Sequence, residues 1–162
     1  MIAYANISAY MLPMTNPSIA AVLHLLSAHA RIEEWFSGKL GAVHGLSLKE
    51  TLLLMHLAHS ERERLPRVDL AKRLSVSPST VTRMAMPLEK LGLIGREPDA
   101  RDARLAYVTL TPAGKTLVEN ATATLERLSG EAFSDRWSAQ EVERLASLLG
   151  RLTAGQPGNL VT

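Results

Sequence analysis

The chain has 162 residues, 46% hydrophobic and 21% charged, with a formal net charge of +2 and no cysteine. That length holds one domain with its own core and leaves no room for a second full one. Without cysteine there is no disulfide, thiolate metal site or thiol sensing, and without an apolar run of about 18 residues or a basic secretory leader the expectation is a soluble, cytoplasmic protein with no membrane partner.

Residues 1–15 are uncharged and lack a clear period, which predicts an N-terminal arm ordered by packing on another surface, such as a second subunit. Asn16 as a cap and Pro17 as a first helical residue open a helix to about residue 37, with Ile19, Val22, Leu23, Leu26 and Ala30 on one face and Gly38 as its stop. A second helix, about 47–60, starts from Ser47 with Glu50 three residues on, the capping-box spacing. Leu52, Leu53, Met55, Leu57 and Ala58 make it apolar nearly all round, which predicts burial.

Residues 68–74 form a short helix whose Leu70, Ala71 and Leu74 face inward, and Ser75, Val76 and Ser77 make a turn. Ser77 as cap and Pro78 at the first helical position then open a clearer helix. Its Val81, Met84, Leu88 and Leu91 recur at threes and fours and pack inward, while Ser79, Thr82, Arg83, Met86 and Lys90 fall on the opposite face. Short hydroxyls and long cations on an exposed helix suit base edges and phosphates in a major groove; alone, the same pattern is also that of an ordinary solvated face. Pro87 removes the hydrogen bond to the Arg83 carbonyl and predicts a kink or break over residues 84–87.

Gly92 ends that helix, and residues 93–97 and 105–110 read as two strands joined by PDARDAR, residues 98–104. Thr111 and Pro112 start a helix to about residue 129, with Leu117, Ala121, Leu125 and Leu128 as its stripe. Ser138 with Glu141 forms another capping box, opening a last helix that carries Val142, Leu145, Leu149 and Leu152 and stops near Gly155. The fold class is therefore mainly α with a small β-hairpin wing, a winged helix-turn-helix plus an N- and C-terminal helical lobe. Basic residues concentrate in the winged segment: residues 61–104 hold ten against seven acidic, a local +3, whereas residues 1–60 balance three against three.

In order and spacing, these motifs resemble the multiple antibiotic resistance regulator (MarR) family of bacterial transcription factors. The matching residues are Leu70, Ala71 and Leu74; Ser79, Thr80, Thr82 and Arg83; Leu88, Glu89 and Gly92; Asp102 and Arg104; and Leu110, Thr111 and Gly114. The resemblance is sharp over about residues 46–118. It implies a homodimer on a near-palindrome of double-stranded DNA, with the second helix of the motif in the major groove and the wing in the minor groove. Arg104 would then be the minor-groove side chain, Asp102 the residue that sets the wing's geometry and Arg101 a second wing cation; the other reading of Asp102 and Arg104 is a salt bridge that stiffens the hairpin. The candidate DNA-contacting set is Ser77, Ser79, Thr80, Thr82, Arg83, Met86, Lys90, Arg101, Asp102 and Arg104. One MarR-like domain would comprise a DNA-binding lobe at 46–111, a dimerisation lobe from 16–38 and 112–155, and the arm at 1–15.

The resemblance also implies a small aromatic or anionic effector bound between the two lobes, for which His29, Arg31, Trp35, Phe36, His44 and His56 are the candidates. No cofactor, metal ligand set or catalytic residue is assigned: the serines sit at caps and turns, and no nucleophile elbow or phosphate loop occurs. The expected function is a sequence-specific regulator, a homodimeric repressor relieved by that unidentified effector. A winged-helix module that binds protein, or a histidine-based metal-responsive regulator using residues such as His56 and His59, stand as alternatives.

Overall fold

The computed structural model describes residues 16–98, 106–155 and 160. Two compact units divide the chain, Met1–Trp35 and Phe36–Thr162. The elements run α1 (Pro17–His44), α2 (Leu48–Ala58), a 3-10 turn (Glu61–Glu63), β1 (Arg64–Pro66), α3 (Arg67–Arg73), α4 (Pro78–Lys90), β2 (Ile94–Pro98), β3 (Ala106–Leu110), α5 (Pro112–Phe133) and α6 (Ala139–Thr153).

Asn16 caps α1 as expected, its Oδ1 accepting the Ser18 N–H at 2.9 Å. The helix does not stop at Gly38. It continues to His44 and ends at Gly45, whose φ of +69° is the left-handed turn that lets the chain leave. An interior glycine costs only about 1 kcal/mol relative to alanine, and the extra turns bury Leu40 completely, a burial that contributes about 1.5–3 kcal/mol. Gly41 adds a similar cost, so burying Leu40 roughly offsets the two glycines, and the helix passes through both.

In the second unit α2 is the central element. Both halves of its capping box form: the Ser47 hydroxyl accepts the Glu50 N–H at 3.2 Å and Glu50 Oε2 accepts the Ser47 N–H at 2.8 Å. Leu53, Leu54 and Leu57 of α2, Leu70 and Ala71 of α3, Val81, Ala85 and Leu88 of α4, Ile94, Val108 and Leu110 of the sheet and Val118, Ala121 and Leu128 of α5 are all buried. Two expected stripes are rotated. On α4 the buried set is Val81, Ala85 and Leu88, with Met84 half-buried and Leu91 67% exposed, because Leu91 is the C-cap from which the chain turns away. On α5, Gly114 and Val118 go inside while Leu117 and Leu125 are half-buried, and the helix runs to Phe133, past residue 129.

The sheet has three strands, not the expected two. β1 pairs antiparallel with β3, placing Leu65 opposite Val108, and β3 pairs antiparallel with β2, placing Arg96 opposite Val108. Two turns close with the same hydrogen-bond pattern. After α4 the N–H groups of Gly92 and Leu93 bond to the carbonyls of Glu89 and Leu88 at 2.9 Å each, the Schellman arrangement with Gly92 at φ +69°. After α3 the N–H groups of Ser75 and Val76 bond to Lys72 and Ala71, and there Ser75 holds φ +52° without glycine's freedom. Among the described residues no helix is long and apolar enough to cross a membrane.

Candidate nucleic-acid interface

The helix that the sequence marks for base reading, α4, is built as a rigid carrier. Val81, Ala85 and Leu88 are buried, so its orientation is set by the core and its outer face is left free. At its start the Ser77 hydroxyl accepts the Thr80 N–H at 3.2 Å and lies 2.8 Å from the Ser79 hydroxyl and 2.9 Å from that of Thr80. Three hydroxyls thus cluster at a positive helix end, a site suited to phosphate oxygens.

One and two turns on, Thr82 Oγ1 donates to the Pro78 carbonyl at 3.1 Å and accepts from Arg67 Nη1 at 3.2 Å, while Arg83 Nη2 reaches Thr80 Oγ1 at 3.4 Å. Ser79, Arg83, Met86 and Lys90 are exposed. Arg67 is a cation that the sequence reading missed. It opens α3 just before the Leu70–Ala71 pair, and its position within reach of α4 depends on how the two helices cross. Glu89, the acidic residue of α4, is held by Arg96 of β2, so its charge is neutralised beside the open cations.

Pro87 does not break α4. The helix runs on to Lys90, and the Pro87 carbonyl accepts the Leu91 N–H at 3.1 Å. Pro87 is exposed and lies in the last turn and a half, where the Arg83 carbonyl that it leaves without a helical partner can reach water. Lys90 therefore stays on the same helix as Arg83. At the wing's root Arg64 bonds to Glu97 at 2.9 Å and its guanidinium lies over the Tyr107 ring, 4.6 Å from the centroid. The wing residues Arg101, Asp102 and Arg104 lie outside the described residues.

The effector candidates occupy different settings. In the first unit His29 is exposed and 3.5 Å from Glu33, Arg31 is exposed and Trp35 is half-buried. In the second unit Phe36 is buried in the core, His44 Nε2 is hydrogen-bonded to Thr124 Oγ1 at 2.8 Å, and His56 is 3% exposed. Among the described residues His56 Nδ1 has no hydrogen-bond partner, and burial, with Arg73 and then His59 nearby, lowers its pKa from 6.5 to about 4. A cavity of about 300 Å³ opens between α2 and α5, lined by Met55, Ala58, His59, Thr122 and Ala123 among others, and none of the six candidates lines it. His59 Nδ1 donates to the Met55 carbonyl at 2.8 Å, and among the described residues no group of three or more His, Cys, Asp or Glu side chains is placed to hold a metal.

The profile of the MarR family matches residues 46–105. The chain is 30% identical over 114 residues to the uncharacterized HTH-type transcriptional regulator YdgJ of Bacillus subtilis, an alignment covering 70% of this chain and 68% of that protein. The chain belongs to the MarR family. It is 29% identical over 122 residues to the HTH-type transcriptional repressor YetL of the same organism, covering 75% of this chain and 69% of that one. The fold matches Sco3205, a MarR family regulator from Streptomyces coelicolor solved in complex with DNA, with a TM-score of 0.75 and 23% identity over 86% of this chain and 91% of that one. A MarR-family chain is a DNA-binding transcriptional regulator and not an enzyme.

Family membership also explains which motif residues serve the fold. Leu70, Ala71 and Leu88 are core, Gly92 makes the left-handed cap, and Thr111 and Gly114 dock α5.

Proposed function

We propose that the protein is a homodimeric repressor that binds a near-palindromic operator through the exposed face of α4, with the wing in the adjacent minor groove, and that a small aromatic or anionic molecule releases it. The observation that carries this reading is the exposed row of Ser79, Arg83, Met86 and Lys90 on a helix whose opposite face is locked in the core. Repression is the direction named for YetL. On this reading the assembly comprises the DNA-binding lobe at residues 46–111, a dimerisation lobe from the terminal helices and the N-terminal arm. An effector that favours a dimer in which the two α4 helices no longer match successive major grooves shifts the population off DNA by its differential affinity.

Selection of bound duplexes from sheared genomic DNA at about 0.15 M salt tests it. The expected result is an enriched inverted repeat with half-site centres about 34 Å apart. Enrichment that disappears as salt rises, with no shared sequence, would reduce the interaction to general phosphate attraction. On the selected site, Arg83→Ala is expected to cost about 1–3 kcal/mol and to relax base preference at one position per half-site. Arg104→Ala weakens binding with less change in preference. If neither substitution alters affinity, a protein-binding role for the winged helix replaces this one.

A further inference from the structure

The end of α2, the 3-10 turn, β1, the end of α3 and the start of β3 surround a cavity of about 470 Å³, a size within the usual range of small-molecule sites. Its lining residues include Arg62, Arg64 and Arg73, with His59 and Tyr107, against one acidic residue, Glu61. It shares only His59 with the α2–α5 cavity and includes none of the six effector candidates.

The charges of this cavity are not balanced. Arg64 is held by Glu97 and Tyr107. Glu63, which could have answered Arg62, instead pairs with Lys115 of α5. Among the described residues neither Arg62 nor Arg73 is paired with a carboxylate. The backbone that presents Arg62 is in a costly form, with Arg62 at φ +57° and Glu63 at φ +52° in succession. The Ser60 hydroxyl holds it from both sides, 2.7 Å from the Leu57 carbonyl and 3.1 Å from that of Arg64, and the Glu63 N–H bonds to Ser60 O at 3.1 Å. Consecutive left-handed residues without glycine persist where the surroundings over-determine them, and such strain concentrates at functional positions.

Planar guanidinium forks recognise carboxylates and phosphates in pairs of hydrogen bonds. Two unpaired forks from different elements, in a cavity walled mostly by polar side chains, suit a compact and multiply charged ligand better than a flat hydrocarbon. We propose that this cavity is a binding site for a small polyvalent oxyanion, a di- or tricarboxylate or a phosphate ester, gripped by Arg62 and Arg73. Through Arg64, Glu97 and Tyr107 the site touches the root of the wing, and through Arg73 it touches the helix-turn-helix. An occupant therefore biases how the wing sits against α3, a consequence that rests on the regulator reading above. The binding itself does not.

The test uses the full chain without DNA, titrated with citrate and with inorganic phosphate at constant ionic strength made up with sodium chloride. Calorimetry is expected to show saturable binding of citrate at one site per chain, with a melting temperature that rises with citrate and not with chloride. Arg62→Gln and Arg73→Gln should each weaken that binding at least tenfold, and Glu61→Gln, at an exposed position, should tighten it severalfold without disturbing the fold. Absence of saturable binding by either anion, or unchanged affinity in all three variants, overturns the proposal. It is also overturned if citrate does not bind and the two arginine variants instead lose DNA affinity with a salt slope lowered by about one phosphate each, which would assign the cations to the DNA backbone. Because the primary readout contains no DNA, failure here is separable from failure of the operator reading.

Discussion

Gly114 shows how closely a single position can be specified. It sits in the first turn of α5, where a Cβ would stand 2.0 Å from the Leu93 carbonyl oxygen and 2.9 Å from Leu110 Cδ1. Thr111, the cap of that helix, makes the approach close: its N–H donates to Leu93 O at 3.1 Å, and its hydroxyl lies 2.7 Å from Gly92 O and accepts the Gly114 N–H at 3.1 Å. Gly114→Ala is therefore expected to destabilise the protein by about 3 kcal/mol, the upper range for overpacking a rigid site, measured as a shift in the urea midpoint with m unchanged. A change below about 0.5 kcal/mol, the range of ordinary surface substitutions, would mean that α5 is not docked this way. His56 makes a different prediction. Its pKa is lowered from 6.5 to about 4 by burial first, then by Arg73 and His59, so between those values the unfolded chain takes up a proton that the folded chain refuses. Stability is complete above pH 6.5 and is lost as pH falls from there toward about 4. His56→Leu, which also removes the unpartnered Nδ1, should flatten that part of the pH–stability curve and leave the protein at least as stable at pH 7; equal curves for the two proteins would sink the argument.

Among the elements, α4 carries the sharpest conflict between local rule and outcome. An interior proline is worth roughly 3 kcal/mol against a helix, yet α4 passes through Pro87 to Lys90. The helix is already tied down by Val81, Ala85 and Leu88, and only one hydrogen bond near an exposed end is lost. Pro87→Ala should restore that bond and stabilise the protein by about 1–2 kcal/mol, because part of the roughly 3 kcal/mol is offset by the greater freedom of alanine in the unfolded chain. Thermal unfolding decides it, and a lower melting temperature would show that the proline ring itself packs. Most elements were legible in the sequence because caps are local: Asn16, Ser47, Ser77, Thr111 and Ser138 each cap where their side chains said they would. β1 was not legible. It has three residues, Arg64, Leu65 and Pro66, and exists only because β3 passes beside it. Likewise Arg67 acquires its contact with Thr82 from the crossing of α3 and α4, and the choice of Ala85 over Met84 and Leu91 for the core is a matter of which side of the helix the partner occupies, which periodicity alone leaves open by about one residue.

At the scale of the whole molecule, both terminal helices carry apolar side chains that stay exposed among the described residues. In the first unit Ile19, Val22, Leu23, Leu25 and Leu26 of α1 are exposed. In the second, α6 has a complete capping box at Ser138 and Glu141 and yet buries no residue, leaving Leu148, Leu149 and Leu152 in water. Such faces are covered when identical copies associate about a two-fold axis, which is the dimer proposed above. Leu152 tests it cleanly. At 71% exposed it is no part of the core, so Leu152→Asp should leave the secondary structure and the folded monomer largely unchanged. In a two-fold interface the same substitution removes two leucines, each contributing about 1.5–3 kcal/mol when buried, and places two carboxylates where none can be solvated. The dimer dissociation constant is then expected to rise at least a hundredfold, since every 1.4 kcal/mol is about tenfold, and sedimentation at micromolar concentration should report a monomer. Operator affinity falls with it, because a local excess of about three positive charges per copy binds DNA tightly only when two copies act on one duplex. An unchanged mass with unchanged operator binding would place the subunit contact elsewhere than α6 and leave its apolar face for a different partner.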